Sequence, residues 1–181
     1  LDVREGMRVV DACAGAGGKT LHLAALMKNK GQIIALDIFE WKLAELKRRA
    51  KRAGAHNIET RFIDDNKVIK RLHEKADRLL IDAPCSGLGV LKRNPDSKWK
   101  IDGEFIERIK KEQQQILQDY SKMLKKGGKM IYATCSILPS ENSEQVKTFL
   151  ENNSEFSLIK DQKIMPSEGF DGFYMALIER R

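Results

Sequence analysis

The chain has only three cysteines in 181 residues, and two of them come directly after apolar runs. Cys85 stands in "DAPCSG" (82–87), at the end of "ADRLLIDA" (76–83). Cys135 stands in "ATCSILPSEN" (133–142), at the end of "KMIYATC" (129–135). A single cysteine is most often a small buried hydrophobe. That reading is kept for Cys13, which lies in the turn "DACAGAGGKT" (11–20), where packing or a cofactor contact accounts for it. Two cysteines at the ends of strand-like runs ask for more, because one is preceded by Asp82, a carboxylate that is costly at a core strand end unless it has a partner or a task. A chemistry that uses this set is methyl transfer to carbon 5 of a pyrimidine. Carbon 5 is a poor nucleophile. A thiolate that adds to carbon 6 turns the ring into an enamine able to attack an electrophilic methyl group. The reaction needs a thiolate, a group at the N3 and amino edge, for which Asp82 is placed, a methyl sulfonium, and a base for the carbon-5 proton. The target base must also leave its stack. Local sequence does not say which of Cys85 and Cys135 attacks.

A cofactor site is legible in the same terms. Gly15, Gly17 and Gly18 allow a tight turn and close approach of backbone to a ligand. Asp37 closes the next apolar run, where a carboxylate can hold a ribose diol. The glycines read G-x-G-G, which is neither the dinucleotide spacing nor a P-loop. The features suit S-adenosylmethionine or a dinucleotide. Asp64 and Asp65 close the third run and face either an adenine edge or solvent. Asp64 is preferred because it follows the run directly.

These residues must be positioned by alternating elements. Strands are expected at 7–12, 31–38, 58–64, 76–83, 129–135, 156–160 and 172–181. Helices are expected at 17–29 (Leu21, Ala24, Ala25 and Met27 inward), 40–54 closed by Gly54, 67–73, within 103–128 stopped by Gly127 and Gly128, and 140–153 capped by Ser140. Strands separated by helices imply a mainly parallel sheet covered on both faces, and two final strands with no helix between them imply an antiparallel finish. In such a sheet ligands sit beyond the carboxyl ends of the strands. Cys85 and Cys135, at the ends of the fourth and fifth strands, are therefore expected to face one pocket beside the glycine loop.

Composition bounds the rest. At 41% hydrophobic and 33% charged, the chain should fold as one domain over residues 1–181. The net charge of +7 favours a polyanionic partner. Few cysteines, odd in number and without a CxxC pair, imply a reducing, cytoplasmic setting and no structural zinc. No apolar run reaches the roughly 20 residues that span a bilayer. The mixed, charged start without methionine reads as the beginning of a piece of a longer protein.

"DACAGAGGKT", "DAPCSGLG", "RNPDSKW" and "YATCSILPSEN" resemble, in order, the motifs of the Nop/Sun family of RNA (cytosine-5) methyltransferases. The likeness extends through "DGFYMALI" and is nearest to bacterial members that act on small-subunit rRNA. It implies an α/β, Rossmann-like, class I S-adenosylmethionine-dependent methyltransferase fold with seven strands, the last antiparallel. It implies S-adenosylmethionine as methyl donor, with S-adenosylhomocysteine as product. The cofactor motif maps onto Cys13, Ala14, Gly15, Ala16, Gly17, Gly18 and Lys19, with Asp37 on the ribose, Asp64 or Asp65 toward the adenine, and Asp82 near both cofactor and base. In this family the "TCS" cysteine, here Cys135, is the nucleophile, and the "APC" cysteine, here Cys85, assists release of the product. DNA cytosine-5 enzymes attack with their "PC" cysteine instead. RNA is the implied partner, rRNA first and tRNA second, held by further N-terminal domains and by Lys92, Arg93, Lys98 and Trp99, with Trp99 either stacking on a base or anchoring its loop to the core. A monomer is expected. One departure is the loop: the family's "AAPGGKT" reads "AGAGGKT" here, which removes a proline and its fixed φ, so weaker cofactor binding is expected rather than a lost site. The alternatives are a DNA enzyme using Cys85, which should carry a Glu-Asn-Val base motif and a long insert that are not found, a non-catalytic RNA-binding or ribosome-assembly module, which should have a broken loop or a missing nucleophile, and, more weakly, a nicotinamide oxidoreductase.

Overall fold

The computed structural model describes residues 1–181. The elements are β1 (Arg8–Asp11), α1 (Gly18–Leu26), β2 (Gln32–Asp37), α2 (Glu40–Arg52), β3 (Ile58–Phe62), α3 (Asn66–Lys70), β4 (Ala76–Asp82), α4 (Gly103–Tyr120), β5 (Leu124–Thr134), α5 (Ser143–Asn152), β6 (Phe156–Ile164) and β7 (Phe173–Arg180). They build one seven-stranded sheet in the order β3-β2-β1-β4-β5-β7-β6. β1 to β5 pair in parallel, and β7 runs antiparallel to both of its neighbours. This is the sheet that the alternating pattern and the resemblance imply.

The parallel strands are apolar on both faces because both are covered. On one face Leu23 and Ala24 of α1, with Met27 just past its end, meet Val9, Ile33 and Leu80, and Leu43, Leu46 and Ala50 of α2 meet Ala35. On the other, Leu117 of α4 and Val146 and Phe149 of α5 pack on Val10, Ile81 and Tyr132. In α1, Leu23 takes the inward place expected for Ala25, which is exposed.

Among the boundaries that differ from expectation, β6 runs on to Ile164, and two others bear on the loops around β5 and α5. The helix expected to stop at Gly127 and Gly128 ends at Tyr120, and β5 begins at Leu124. Met123 and Leu124 are fully buried, and Ala76 pairs with Leu124 while Arg78 pairs with Lys129. The intervening residues bow out of the sheet with Gly127 at φ +73. The glycines thus serve a bulge, which uses the same left-handed freedom as a helix stop. Ser140 does not cap α5. Pro139–Glu141 forms a single 3-10 turn, and the cap position falls to Asn142, whose side chain turns away to Ser136 O at 2.9 Å.

β1 ends in a carboxylate that composition gives no reason to bury. Asp11 is buried, accepts the Thr20 hydroxyl at 2.7 Å, and leaves its other oxygen without a partner. The bond ties the end of β1 to the first turns of α1 across the glycine loop. Burial foremost, with the nearby Asp82 adding, pushes the Asp11 carboxyl up to about 7. A raised carboxyl means that the folded chain keeps a proton that the unfolded chain gives up near 3.8. Its contribution to stability is complete below that value and is lost as pH rises toward about 7. We expect unfolding by denaturant to show about 3 kcal/mol less stability from this group at pH 8 than at pH 4.5, and Asp11→Asn to remove most of that pH dependence.

Candidate active site

The carboxyl ends of β1, β2, β4 and β5 open onto two adjoining cavities that share Asp82 and Pro84. The first, of about 490 Å³, has the size of a small-ligand site. Cys13 and Gly15 line one side, Asp37 and Phe39 another, and Tyr120 of α4 closes it. The second, of about 420 Å³, is lined by Lys19, Asp82, Cys85, Arg93, Cys135 and Phe173.

The glycine loop is held by bonds rather than by a proline. Gly15 and Gly17 adopt φ +54 and +86, a region open to glycine at little cost. A Cβ on Gly17 would lie 2.5 Å from Leu46 Cγ, so the loop rests directly on α2. The Gly15 N–H donates to Asp37 Oδ2 at 2.8 Å, the Ala14 N–H to Leu36 O at 2.8 Å, and the Arg49 guanidinium to Ala16 O at 2.7 Å. Asp37 is buried and also accepts the Phe39 N–H at 2.9 Å through its other oxygen. Each of its oxygens keeps a lone pair for a ligand in the cavity.

Several of the expected residues stand elsewhere. Lys19 leaves the first cavity for the second, where its ammonium pairs with Asp82 at 2.6 Å and lies 5.4 Å from the Phe173 ring centroid. Gly18 is exposed at the start of α1. Asp64 and Asp65 are both exposed, and the residue from that strand end which lines the cavity is Ile63. Asp65 caps α3 by accepting the Lys67 N–H at 2.7 Å, and Asp64 accepts the Asp65 N–H at 2.9 Å. Neither aspartate reaches the cavity in this arrangement. Trp99 is 81% exposed, so it does not anchor its loop to the core. Lys92, Arg93 and Lys98 are exposed beside it, with Lys98 over the Trp99 ring at 4.9 Å and Arg93 paired with Asp171.

Cys85 and Cys135 meet. Their sulfurs are 3.2 Å apart, and both thiols are free. The contact treats them oppositely. The hydrogen bond from the Cys85 thiol holds Cys135 below the ordinary thiol range, against burial and the charge of Asp82, and the Lys19 ammonium helps. The same contact, followed by burial, pushes Cys85 up. Cys135 therefore gives up its proton first. Cys13 is pushed up by burial, as befits an inert thiol.

Sequence reasoning passed over Asp11, Phe39, Tyr120, Phe173 and Glu141. Phe39 had a readable signal, an aromatic just past an acidic strand end. Asp11, Glu141 and Phe173 lie within the quoted motif stretches but nothing in their spacing gives them a task, and Tyr120 sits in a stretch that reads only as helix packing.

The sequence profile of a family described as 16S rRNA methyltransferase RsmB/F matches residues 1–179. A ribosomal RNA small subunit methyltransferase B from Yersinia enterocolitica is 37% identical over the whole chain, which covers 44% of that protein. A probable ribosomal RNA small subunit methyltransferase B from Bacillus subtilis is 38% identical over 86% of the chain and 35% of its own length. The structure of NSun6 from Pyrococcus horikoshii, solved with SFG, superimposes with a TM-score of 0.88 at 29% identity, covering 99% of this chain and 49% of that one. The chain spans less than half the length of these relatives. The fold is that of the class I S-adenosylmethionine-dependent methyltransferases. With its profile matched over nearly every residue and its two thiols in contact beside a glycine-cradled cavity, the chain belongs to the RsmB/F family of 16S rRNA methyltransferases.

Proposed function

We propose that this chain is the catalytic unit of an RNA methyltransferase that transfers a methyl group from S-adenosylmethionine to carbon 5 of a cytosine in small-subunit rRNA, through a covalent bond between Cys135 and carbon 6. The observation that carries the reading is the pair of thiols in contact, in a cavity that shares the wall residue Asp82 with a second cavity of cofactor size.

The first cavity fits the donor in its donor set: left-handed glycines that bare the backbone, and the Asp37 carboxylate aimed at the space beside them. A structural relative was solved with SFG, an analogue of S-adenosylmethionine. When bound, the donor supplies an electrophilic methyl on a sulfonium. Residues of this chain do the rest. Cys135, the more acidic thiol, adds as thiolate to carbon 6 of a cytosine turned out into the second cavity. Asp82 faces the N3 and amino edge, and Lys19, 2.6 Å away, holds that carboxylate in place. Adduct formation removes the negative charge on Cys135, and with it the largest cause that pushes Cys85 up. Cys85 can then give its own proton to solvent and, as the thiolate, accept the carbon-5 proton. Loss of that proton restores the double bond as Cys135 leaves, and both thiols return to their starting state. On this reading the segments beyond this chain add RNA contacts, the protein acts as a monomer in the cytoplasm, and Lys92, Lys98 and Trp99 meet the RNA. No helix is long and apolar enough to cross a membrane.

Methyl transfer from labelled S-adenosylmethionine should be measured with the full-length protein on small-subunit rRNA and on tRNA. We expect Cys135→Ala to lower turnover by about 10³-fold or more and to form no protein–RNA adduct. Cys85→Ala should accumulate that adduct as a species resistant to denaturation. Adduct formation lost in Cys85→Ala and kept in Cys135→Ala would reverse the two roles. Methylation of tRNA alone would move the substrate away from rRNA.

The thiol asymmetry is open to a separate test without RNA. The pH dependence of iodoacetamide alkylation at Cys135, read by mass spectrometry, should have its midpoint below the ordinary thiol value of about 8.5. Cys85→Ala removes the donor that holds it down, so the midpoint should move to higher pH.

A further inference from the structure

The contact between the two sulfurs needs an explanation, because the sheet does not supply one. β4 and β5 pair up to Asp82 and Ala133, and the last rung is the Ala83 N–H to Ala133 O at 2.9 Å. Beyond it the two chains leave the sheet as separate loops. Loops without a ladder are free to diverge. A backbone bond from Gly89 to Cys135 O at 2.9 Å ties them further out. Cys85 and Ser86 lie between rung and tie on one chain, and on the other Cys135 carries the tie and Ser136 directly follows it.

One carboxylate occupies that interval. Glu141 is 0% exposed. Its Oε2 accepts the Ser86 N–H at 2.8 Å and the Gln113 amide at 3.1 Å, and its Oε1 accepts the Ser86 hydroxyl at 2.5 Å and the Ser136 hydroxyl at 2.6 Å. Ser86 directly follows Cys85, and Ser136 directly follows Cys135. Gln113 reaches from α4 and also holds Pro84 O at 2.9 Å, on the other side of Cys85. Glu141 is itself anchored, since Tyr132 donates to its carbonyl at 2.8 Å and the next residue, Asn142, donates to Ser136 O at 2.9 Å. Burying a carboxylate is expensive, and a well-packed apolar group of the same volume often serves stability as well or better. A carboxylate whose bonds run to the residues beside both thiols, and to the amide that holds Pro84, has a use that an apolar group could not fill.

We propose that Glu141 is a positioning residue that clamps the loops after β4 and β5 together and thereby holds the Cys85 and Cys135 sulfurs in contact. It touches neither sulfur, so it acts through Ser86 and Ser136. The inference rests on reading the two cysteines as the reacting pair, and it assigns to that pair the group that sets its geometry. Displacing a reacting group by about 1 Å costs on the order of 10²-fold in rate. The clamp should therefore show in turnover more than in binding.

The test uses the full-length protein and two readouts. The first needs neither RNA nor cofactor. Diamide joins two neighbouring thiols as a disulfide, their two hydrogens passing to its nitrogen–nitrogen double bond, and the rate at fixed pH reports how often the sulfurs meet. Glu141→Gln keeps the shape but replaces one acceptor oxygen by an amide NH₂ facing donors. We expect it to slow formation of the Cys85–Cys135 disulfide by about tenfold and to lower kcat by about 10–100-fold, with KM for RNA and for S-adenosylmethionine changed by less than about threefold. A folded Glu141→Gln protein that forms the disulfide at the wild-type rate overturns the proposal. If Glu141→Gln fails to fold, Ser86→Ala and Ser136→Ala each remove one arm of the clamp. Slower disulfide formation in either supports the proposal, and wild-type rates in both overturn it. A wild-type protein that forms the disulfide rapidly yet methylates no RNA would remove the proposed function and leave the clamp standing.

Discussion

Three strands that are neighbours in the sheet, β2, β1 and β4, all end in an aspartate, and the site depends on how those like charges are accommodated. Carboxylates side by side at the end of a covered sheet repel one another and lose water. Each is answered in a different way. Asp37 is met by two backbone N–H groups, one of which belongs to Gly15 and draws the glycine loop over the end of β2. Asp82 is met by the Lys19 ammonium, which reaches it from the first turn of α1. Asp11, between them and the most deeply buried, takes only the Thr20 hydroxyl and a raised affinity for its proton. The conformation of the loop, the direction of Lys19 and the docking of α1 all follow from this row of charges. It leaves one carboxylate facing the cofactor cavity and one standing between the two cavities.

On the proposed function, Asp82 in that shared wall lies where donor and acceptor are brought together, and a group transfer depends on that proximity. The second cavity adds a thiol pair whose electrostatics are asymmetric for local reasons. The two sulfurs compete for one proton, and the neighbouring charges decide the outcome. Lys19 favours the thiolate on Cys135 while Asp82 opposes it more strongly, so the ion pair as a whole does not draw the proton off the sulfur. What remains is the thiol–thiol hydrogen bond. Reactivity therefore depends more on how the two loops are held than on any nearby cation, and the buried polar cluster around Glu141 has a chemical consequence as well as a structural one.

The parts of this arrangement that were legible in the sequence are those in which a period or a strand order carries the information. Buried parallel strands read as apolar runs, and their alternation with helices placed the loops bearing Cys85 and Cys135 on one side. The clamp was not legible, because a glutamate in "PSENSE" reads as an acidic first turn of a helix, and nothing local shows that it points inward among serines 55 and 5 residues away. The start of β5 was misplaced for a related reason: a Gly-Gly pair marks a left-handed residue without saying whether a helix stops or a strand bulges. Asp64 and Asp65 illustrate a third case. A short polar residue after a strand is as well suited to capping the next helix as to facing a ligand, and Asp65 takes the cap.

The proline-free loop follows from the same balance of forces. A proline would restrict the loop by fixing φ at one residue. Here the restriction comes from outside, through the Gly15 bond to Asp37, the Arg49 bond to Ala16 and the contact of Gly17 with Leu46. Gly15 at φ +54 is a position where alanine would be strained. The two departures from "AAPGGKT" are thus coupled, since a glycine at 15 permits a left-handed turn that brings its N–H onto Asp37, and that bond replaces the stiffness lost at 16. The coupling also has an electrostatic side: an extra donor on Asp37 relieves the row of aspartates at the strand ends. A loop held in this way orders only while β2 and α2 are in place, so its preorganisation belongs to the folded domain rather than to the loop itself.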